Sequence, residues 1–189
     1  MVATFEVFLD TGGSSGSPGT ETSTDSLGPP NIRFKRADNP TIDGNDPNII
    51  PVSGSNESRW KQIYLKCTVA PDTQVDNVKI YTDGTGFGTG VSVEVGSETP
   101  IKNSASDAGY DPSDTNDEDM AVHTGISSHS NFFAFTSGSP KDVTISETGN
   151  IIDAINETTN YVVLQMDVAN TATPGNLTNE TVTYEYDEI

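Results

Sequence analysis

The residues best suited to chemistry lie in the segment 103–120, where acidic side chains crowd into a predicted loop. Carboxylate and amide oxygens are the ligands that calcium prefers in proteins, and the ion takes roughly six to eight of them. The spacing lacks the glycine and the distant glutamate of a helix–loop–helix site, so a solvated acidic loop is the alternative. The candidate calcium ligands are Asp107, Asp111, Asp114, Asn116 and Glu118.

Other reactive side chains do not form a recognisable catalytic arrangement. Gly125 lies between His123 and His129 and indicates a turn there, rather than one metal-binding strand face. The serines before His129 lack the context of a nucleophile elbow, and the glycines of residues 83–90 do not match a phosphate-binding spacing. Cys67 alternates with apolar residues, which predicts a small core residue. The sequence therefore predicts no enzyme, and no cofactor other than calcium.

The balance of charge limits the partners of this chain. Its formal net charge is −19, from 28 acidic and 9 basic residues. Such a surface repels phosphate backbones and anionic lipid, so neither nucleic acid nor a membrane is an expected partner. No segment has the roughly eighteen apolar residues of a membrane span, and the first ten residues lack the features of a signal peptide. We therefore expect synthesis in a cytoplasm without export.

Short segments of alternating apolar and polar residues recur along the chain and indicate β-strands. The clearest are residues 59–70 and 161–169, and in the second of these Val162, Leu164 and Met166 share one face. The composition predicts one all-β domain over residues 1–189, an antiparallel β-sandwich of the immunoglobulin-like or jelly-roll kind with long polar loops. Further strands are predicted at residues 3–9, 31–36, 49–52, 75–82, 91–95, 132–135, 143–145 and 181–187, with the last of these beside 161–169 in the middle of the core.

Two features could serve contacts between subunits. Residues 11–30 contain too little apolar area to offset the entropy of ordering them, which predicts a flexible loop or arm. A loop of this length could let the first strand pair with a neighbouring subunit, or it could be a connection within one chain. Three basic residues cluster at Arg33, Lys35 and Arg36 in an otherwise acidic chain, and could bind an acidic surface of another copy or a cross-strand partner.

The chain resembles virion structural proteins of tailed viruses that infect bacteria or archaea. The likeness is carried by a strand that starts directly after Met1, by the hairpin sequence Val-Asp-Asn-Val-Lys-Ile-Tyr-Thr-Asp-Gly at 75–84, and by a Thr-Pro-Gly loop before the terminal Glu-Thr-Val-Thr-Tyr-Glu-Tyr-Asp-Glu-Ile. It implies a structural role in the virion, on the capsid exterior or in the tail, with copies of itself and other virion proteins as partners. The interface residues expected in that role are Phe5, Arg33, Lys35, Arg36, Trp60 and Tyr64, the last two as exposed aromatic side chains.

Two other classes of function are open on the sequence alone. A calcium-assisted carbohydrate-binding or adhesion module would use the acidic loop and the aromatic side chains to bind a surface glycan. A subunit of an extracellular surface filament would exchange a strand through the long arm, and it would need an export route that the sequence does not show. The two classes differ in solution, because the first predicts a monomer stabilised by calcium and the second an assembly.

Overall fold

Strands and irregular connections make up the described part of the chain, which in the computed structural model comprises residues 2–28, 31–96, 101–112, 118–123, 126 and 129–189. None of the helices in these residues is long and apolar enough to cross a membrane. The helical elements are single 3-10 turns at Thr24–Leu27, Met120–Val122, Phe132–Ala134 and Thr148–Asn150. The strands are β1 (Thr4–Ser14), β2 (Ser17–Ser23), β3 (Ser55–Glu57), β4 (Lys61–Val69), β5 (Val75–Thr82), β6 (Val91–Gly96), β7 (His129–Asn131), β8 (Lys141–Asp142), β9 (Val162–Ala169) and β10 (Val182–Glu188).

The strands form two antiparallel sheets. The main sheet has the order β2-β1-β4-β9-β6-β7, with β3 also paired to β9, and the second sheet has the order β10-β5-β8. Each strand pair in both sheets is antiparallel. The prediction of an all-β, antiparallel sandwich is therefore confirmed.

The core between the sheets follows from the two-residue period of the strands. On β4, Ile63, Leu65 and Cys67 point towards the second sheet, and Cys67 is fully buried as predicted. The apolar face predicted for residues 161–169 packs in the same layer. The second sheet contributes Val75, Val78 and Ile80 of β5, so alternating residues of both sheets meet in one apolar cluster.

The opposite face of the main sheet is also buried, which the alternation does not predict. Gln62 and Tyr64 on β4 and Val163 and Gln165 on β9 are buried, although all four belong to the more polar face. Two irregular segments, residues 101–112 and 118–123, bond to this face, and we call them the covering segments. The chain itself therefore covers the second face of the strand at residues 161–169.

The two C-terminal strands do not lie together in the core. Strand β9 is central in the main sheet, whereas β10 is an edge strand of the second sheet and pairs only with β5 among the described strands. Val182 and Glu185 of β10 are exposed, while Tyr184 and Tyr186 pack against the core from its rim. The connection 170–181 carries the chain from one sheet to the other, which separates two strands that are adjacent in sequence.

Four predicted strands are irregular in the structure. One of them, residues 143–145, follows the two-residue strand β8 and, within the described residues, has only an isolated bridge from Ile145 to Thr159. Residues 31–36 and 49–52 have no strand pairing and run across one end of the sandwich. Residues Phe132–Ala134 form a 3-10 turn because the side chain of Asn131 accepts a hydrogen bond from the backbone N–H of Phe133 and starts the turn. Ile32, Phe34, Ile50 and Phe132 still pack in or against the core, whereas Ile49 and Val52 are exposed.

The predicted flexible arm at residues 11–30 is largely a hairpin, so that prediction is wrong for residues 11–23. Strand β1 continues to Ser14, and β2 returns antiparallel to it with Ser14 opposite Ser17 and Asp10 opposite Glu21. The other side of β1 pairs with β4 of the same chain. Backbone hydrogen bonds on an existing sheet edge order this polar segment, and such bonds require no apolar side chains.

The hairpin predicts that two neighbouring glycines differ in how well they tolerate a side chain, which a flexible arm does not predict. Gly12 and Gly13 both have positive φ angles, of 66° and 81°. A Cβ atom at Gly12 meets open space, whereas a Cβ atom at Gly13 overlaps the carbonyl oxygen of Ser17 across the hairpin. We expect Gly12→Ala to lower the free energy of unfolding by about 1 kcal/mol and Gly13→Ala by about 2–4 kcal/mol. Urea unfolding of both variants measures this difference, and equal effects would contradict the hairpin.

Candidate functional site

Of the five predicted calcium ligands, three lie in the described residues, and two of these carboxylates lie against basic side chains. Asp107 pairs with Lys102, and the Asp111 carboxylate lies 2.8 Å from Nε2 of His123. The backbone carbonyl of Glu118 accepts a hydrogen bond from Gln165. Within the part of the chain that the structure describes, no three His, Cys, Asp or Glu side chains group to hold a metal ion. Two of the five predicted ligands, Asp114 and Asn116, lie outside the described residues.

The exposed position expected for Trp60 and Tyr64 is wrong. Trp60 is 2% exposed and Tyr64 is fully buried, because both point from β4 and its start into the covering segments. The indole Nε1 of Trp60 donates a hydrogen bond of 2.6 Å to the backbone carbonyl of Asp111. The layer that covers these aromatic side chains is therefore formed within the chain.

The other predicted interface residues differ in their exposure. Lys35 is buried, contrary to expectation, because its Nζ donates to the carbonyl of Thr41 and lies 3.3 Å from the Asp43 carboxylate. Phe5 is half-buried, with its ring centroid 4.8 Å from that of Tyr186. Arg33 and Arg36 are half-buried at the surface. Of the six predicted interface residues, these last three remain at least partly accessible to a partner.

The most concentrated group of titratable side chains lies on the outer face of the main sheet, and we call it the tyrosine–aspartate cluster. It consists of Asp10, Tyr64, Lys102, Tyr110 and Tyr161, all of them buried. Asp10 and Tyr64 extend from the adjacent strands β1 and β4, and Tyr161 immediately precedes β9 on the other side of β4. Lys102 and Tyr110 come from the first covering segment. Three neighbouring strands and one loop thus converge on one point.

Hydrogen bonds join the members of the cluster to one another. The Tyr161 hydroxyl donates to Oδ2 of Asp10 at 2.5 Å. The Tyr64 hydroxyl donates to Glu21 of β2 and lies 3.4 Å from Oδ1 of Asp10. The Tyr110 hydroxyl donates to the backbone carbonyl of Gly12. Buried polar groups need such partners, so the cluster ties β1, β2, β4 and the covering segment into one network.

Lys102 brings a cation to the centre of this network. Its Nζ lies 3.7 Å from Oδ2 of Asp10 and pairs with Asp107. The same Nζ lies over the rings of Tyr64 and Tyr161, at 4.6 Å and 5.7 Å from their centroids. The backbone N–H of Lys102 donates to the Asn160 side chain at 2.8 Å, which fixes the start of the covering segment beside β9.

Burial and charge shift the pKa values in the cluster. Burial raises the pKa of Asp10, although the hydrogen bond from Tyr161 and the charge of Lys102 oppose it. Burial raises the pKa of Tyr64 and of Tyr161 far above its ordinary value. The second cause is the charge of Asp10 for Tyr64 and the hydrogen bond to Asp10 for Tyr161. Burial alone would raise the pKa of Glu21, but hydrogen bonds from Lys66 and Tyr64 outweigh this effect and lower the pKa. Burial therefore acts against the ionised form of Asp10, whereas hydrogen bonds favour the ionised form of Glu21.

A polar cleft of 250 Å³ leads from the surface to the cluster. Glu21, Lys66, Lys102 and Asp107 line it, together with the tight turn 103–106. Asn103 and Ser106 exchange backbone hydrogen bonds in that turn, which sets Lys102 and Asp107 beside each other. The cleft gives water and protons a route to Asp107, whereas Asp10 lies below it and is only 2% exposed.

A second cleft, of 360 Å³, lies at the glycine-rich turn before β6. Gly84, Gly86 and Gly88 form one side and Phe133 the other. The Phe133 ring packs edge-on against Phe87, with centroids 5.6 Å apart. The glycines therefore allow the backbone to pass close to an aromatic side chain, and the structure gives them no phosphate-binding geometry between a strand and a helix.

The members of the cluster have no recognisable spacing in the sequence. Asp10 ends the predicted first strand, and Tyr64 and Tyr161 fall on the faces that the alternation assigns to the polar side. Lys102 and Tyr110 lie in or beside the acidic loop that was considered for calcium. The sequence signal of a second buried layer was a tyrosine on the polar face of each central segment, 59–70 and 161–169.

Comparison of the chain with protein-family models, with curated proteins and with solved structures finds no match.

Proposed function

We propose that this chain is a non-enzymatic structural subunit of a virion, on the capsid exterior or in the tail, that binds copies of itself and other virion proteins. The observation that supports this role best is the position of the exposed apolar side chains. Of the nine large exposed apolar residues in the described part of the chain, seven lie at the two ends of the sandwich. Side chains of this kind at opposite ends suit contacts between stacked subunits.

At the first end, the exposed side chains are Val2, Ile155 and Ile189. Val2 directly precedes β1, whose Thr4 is opposite Val69 at the end of β4. Ile189 exchanges backbone hydrogen bonds with Gln74 at the start of β5, and Ile155 lies in the turn whose neighbour Asn156 donates to the carbonyl of Cys67. The strand ends thus bring three separate parts of the chain to the same end.

At the second end, the exposed side chains are Ile49, Val52, Leu177 and Val182. The Ile49 carbonyl accepts a hydrogen bond from Asn56 of β3, and Val52 precedes that strand. Val182 is opposite Thr82 at the end of β5, and Leu177 lies in the connection between β9 and β10. Because a stable contact buries about 800 Å² of each partner, polar neighbours must complete each end surface.

The net charge of −19 supports an outer position in such an assembly. A surface of this charge beside packaged DNA would be repelled, whereas it is compatible with the exterior of a capsid or with a tail. The half-buried Arg33 and Arg36 provide basic groups for an acidic neighbour. Contacts that use the apolar ends leave the acidic sides exposed to solvent, where charge keeps the particle soluble.

Light scattering of the purified chain, with calcium and then with a chelator, tests the proposal. We expect a defined oligomer or filament whose mass does not change on chelation. Val52 is wholly exposed, so Val52→Asp adds a charge to the second end without disturbing the core, and we expect it to reduce the assembly to monomers. Val122→Asp is the matched control, because Val122 is 77% exposed and lies in the covering segment 118–123, which bonds to the outer face of the main sheet.

Other results would contradict the proposal. A chain that is monomeric at all concentrations, and equally so in both variants, would exclude self-assembly through the ends. A monomer that loses thermal stability on chelation would instead favour the calcium-assisted glycan-binding module, since calcium would then contribute to the folded state. Loss of assembly in both Val52→Asp and Val122→Asp would indicate a general effect of charge rather than a contact at one end.

A further inference from the structure

We propose that Lys102 and Asp10 condense to an isopeptide bond between the lysine Nζ and the aspartate Cγ. The two side chains are 92 positions apart in sequence, and the fold places Nζ 3.7 Å from Oδ2 of Asp10 in a buried site. The reaction forms an amide and releases one water. It uses groups that the chain itself supplies, and it does not depend on the assembly proposed above.

The surroundings of Asp10 suit a carboxyl group that is attacked. The Tyr161 hydroxyl donates to Oδ2 at 2.5 Å, and the Tyr64 hydroxyl lies 3.4 Å from Oδ1. The Tyr161 hydroxyl stabilises the negative charge that develops on Oδ2 when the amine adds to Cγ, while the Tyr64 hydroxyl donates to Glu21. Burial raises the pKa of Asp10, so the carboxyl is held more in the neutral form that an amine can attack.

The surroundings of Lys102 suit an amine that attacks. Asp107 pairs directly with its Nζ and can accept a proton from the ammonium group. The rings of Tyr64 and Tyr161 lie against the same Nζ and keep bulk water from it. Lys102 itself is 7% exposed, whereas Asp107 is half-buried at the cleft and can return a proton to solvent.

The step balances without a further reagent. The Asp107 carboxylate takes one proton from the Lys102 ammonium, and the resulting amine adds to Cγ of the protonated Asp10. A second proton of the nitrogen passes to the departing hydroxyl group, so the Cγ–O bond breaks and water leaves. The products are an amide with one N–H, one water and a protonated Asp107, which releases its proton through the cleft. No atom is oxidised or reduced.

The bond would join β1 of the main sheet to the covering segment that closes its outer face. A covalent link between positions 10 and 102 constrains the unfolded chain, and in the chain-entropy treatment a closed loop of this length adds roughly 4–5 kcal/mol of stability. The link would also prevent the covering segment from separating from the cluster under mechanical load. Asp10, Lys102 and Asp107 thus act on the chain itself and not on an external substrate.

Mass spectrometry of the purified, denatured chain tests this inference. We expect the wild-type mass to be lower than its sequence mass by one water, and the mass of Lys102→Arg to equal its own sequence mass. Lys66→Arg is the matched control, because Lys66 lines the same cleft and pairs with Glu21 at the surface, and we expect it to lack one water like the wild type. Circular dichroism establishes that each chain is folded.

A tryptic digest of the wild-type chain locates the bond without any variant. Trypsin cleaves after Arg33, Lys79 and Lys141, and acylation protects Lys102, so we expect residues 1–33 to be attached to residues 80–141. Asp107→Ala removes the proton acceptor and is expected to slow formation of the bond by roughly a hundredfold. A folded wild-type chain with its full sequence mass would overturn the inference. A loss of water confined to peptide 80–141 would overturn it equally, because the bond would then join Lys102 to Asp107.

Discussion

Replacing Trp60 by alanine is expected to lower the free energy of unfolding by about 3–5 kcal/mol. Trp60 is 2% exposed and packs with Met120, Ile126 and Val163 between β9 and the covering segments. Its Nε1 donates to the backbone carbonyl of Asp111, which also accepts a hydrogen bond from Nε2 of Gln62. The cost thus combines a cavity in an apolar cluster with the loss of one of the two hydrogen bonds to this carbonyl.

Trp60→Phe separates the two contributions, because it retains an aromatic ring and loses the indole N–H. We expect it to cost less than half as much as Trp60→Ala, and urea unfolding followed by far-ultraviolet circular dichroism measures both. Trp60 is the sole tryptophan of the chain, so the wild-type protein should also show blue-shifted emission that moves to the red on unfolding. Red-shifted emission of the native chain, or a negligible effect of Trp60→Ala, would contradict the burial of this side chain.

The contribution of Lys61 to the stability of the folded chain is expected to rise between pH 8 and pH 10, whereas the raised pKa of Cys67 acts in the opposite direction there. This lysine is 1% exposed, and its Nζ lies 3.4 Å from the carbonyl oxygens of Ala37 and Asn39. Burial, aided by the charges of Lys35 and Arg59 and opposed by that of Asp38, lowers the pKa of Lys61 from 10.5 to about 8. The charged form is therefore disfavoured in the folded protein.

The sign follows from the protons bound in each state. Between pH 8 and pH 10 the unfolded chain keeps the Lys61 proton while the folded chain loses it, so the free energy of unfolding rises by up to about 1.4 kcal/mol per pH unit. The whole interval contributes about 2–3 kcal/mol. Above pH 10 the trend reverses, because the raised pKa values of Tyr64 and Tyr161 give stability that is lost once the unfolded phenols ionise.

Lys61→Met removes this titration and keeps a side chain of similar length. Its free energy of unfolding, measured by urea at pH 7, 8, 9 and 10, is expected to lack the Lys61 contribution to the rise, so that the wild-type value minus the variant value grows by about 2–3 kcal/mol between pH 8 and pH 10. At pH 7 the variant is expected to exceed the wild type. Lys79→Met, at a half-buried position on β5, is the control that should keep the rise. A parallel pH dependence in wild type and Lys61→Met would show that another group carries it.

The candidate site could be predicted only in fragments. The acidic loop was recognised as a place for chemistry, and Asp107 belongs to the cleft that leads to the cluster. Its partner in the structure is Lys102, five positions away across a tight turn, rather than the neighbouring carboxylates. Asp10 was unremarkable in sequence, since a single aspartate at the end of a strand carries no information about the tyrosines that other strands bring to it.

The alternation of apolar and polar residues along the sequence was sufficient to determine the strands and the inner core of this protein. A period of two residues assigns Ile63, Leu65 and Cys67 to one face wherever the strand lies, and the apolar face of residues 161–169 follows in the same way. The polar, turn-rich composition between such segments excluded long helices and predicted the antiparallel sandwich. These properties depend on residues close together in the chain, so they can be read from the order of the residues.

Tertiary structure alone decided the pairing of strands and the second buried layer. Strand β2 is ordered by backbone hydrogen bonds to β1, and the types of its polar side chains do not indicate this pairing. Strands β9 and β10 enter different sheets, although their own patterns are similar. The burial of Trp60, Tyr64 and Lys61 depends on segments distant in sequence that fold over them, because burial is a property of what surrounds a side chain and not of its neighbours along the chain.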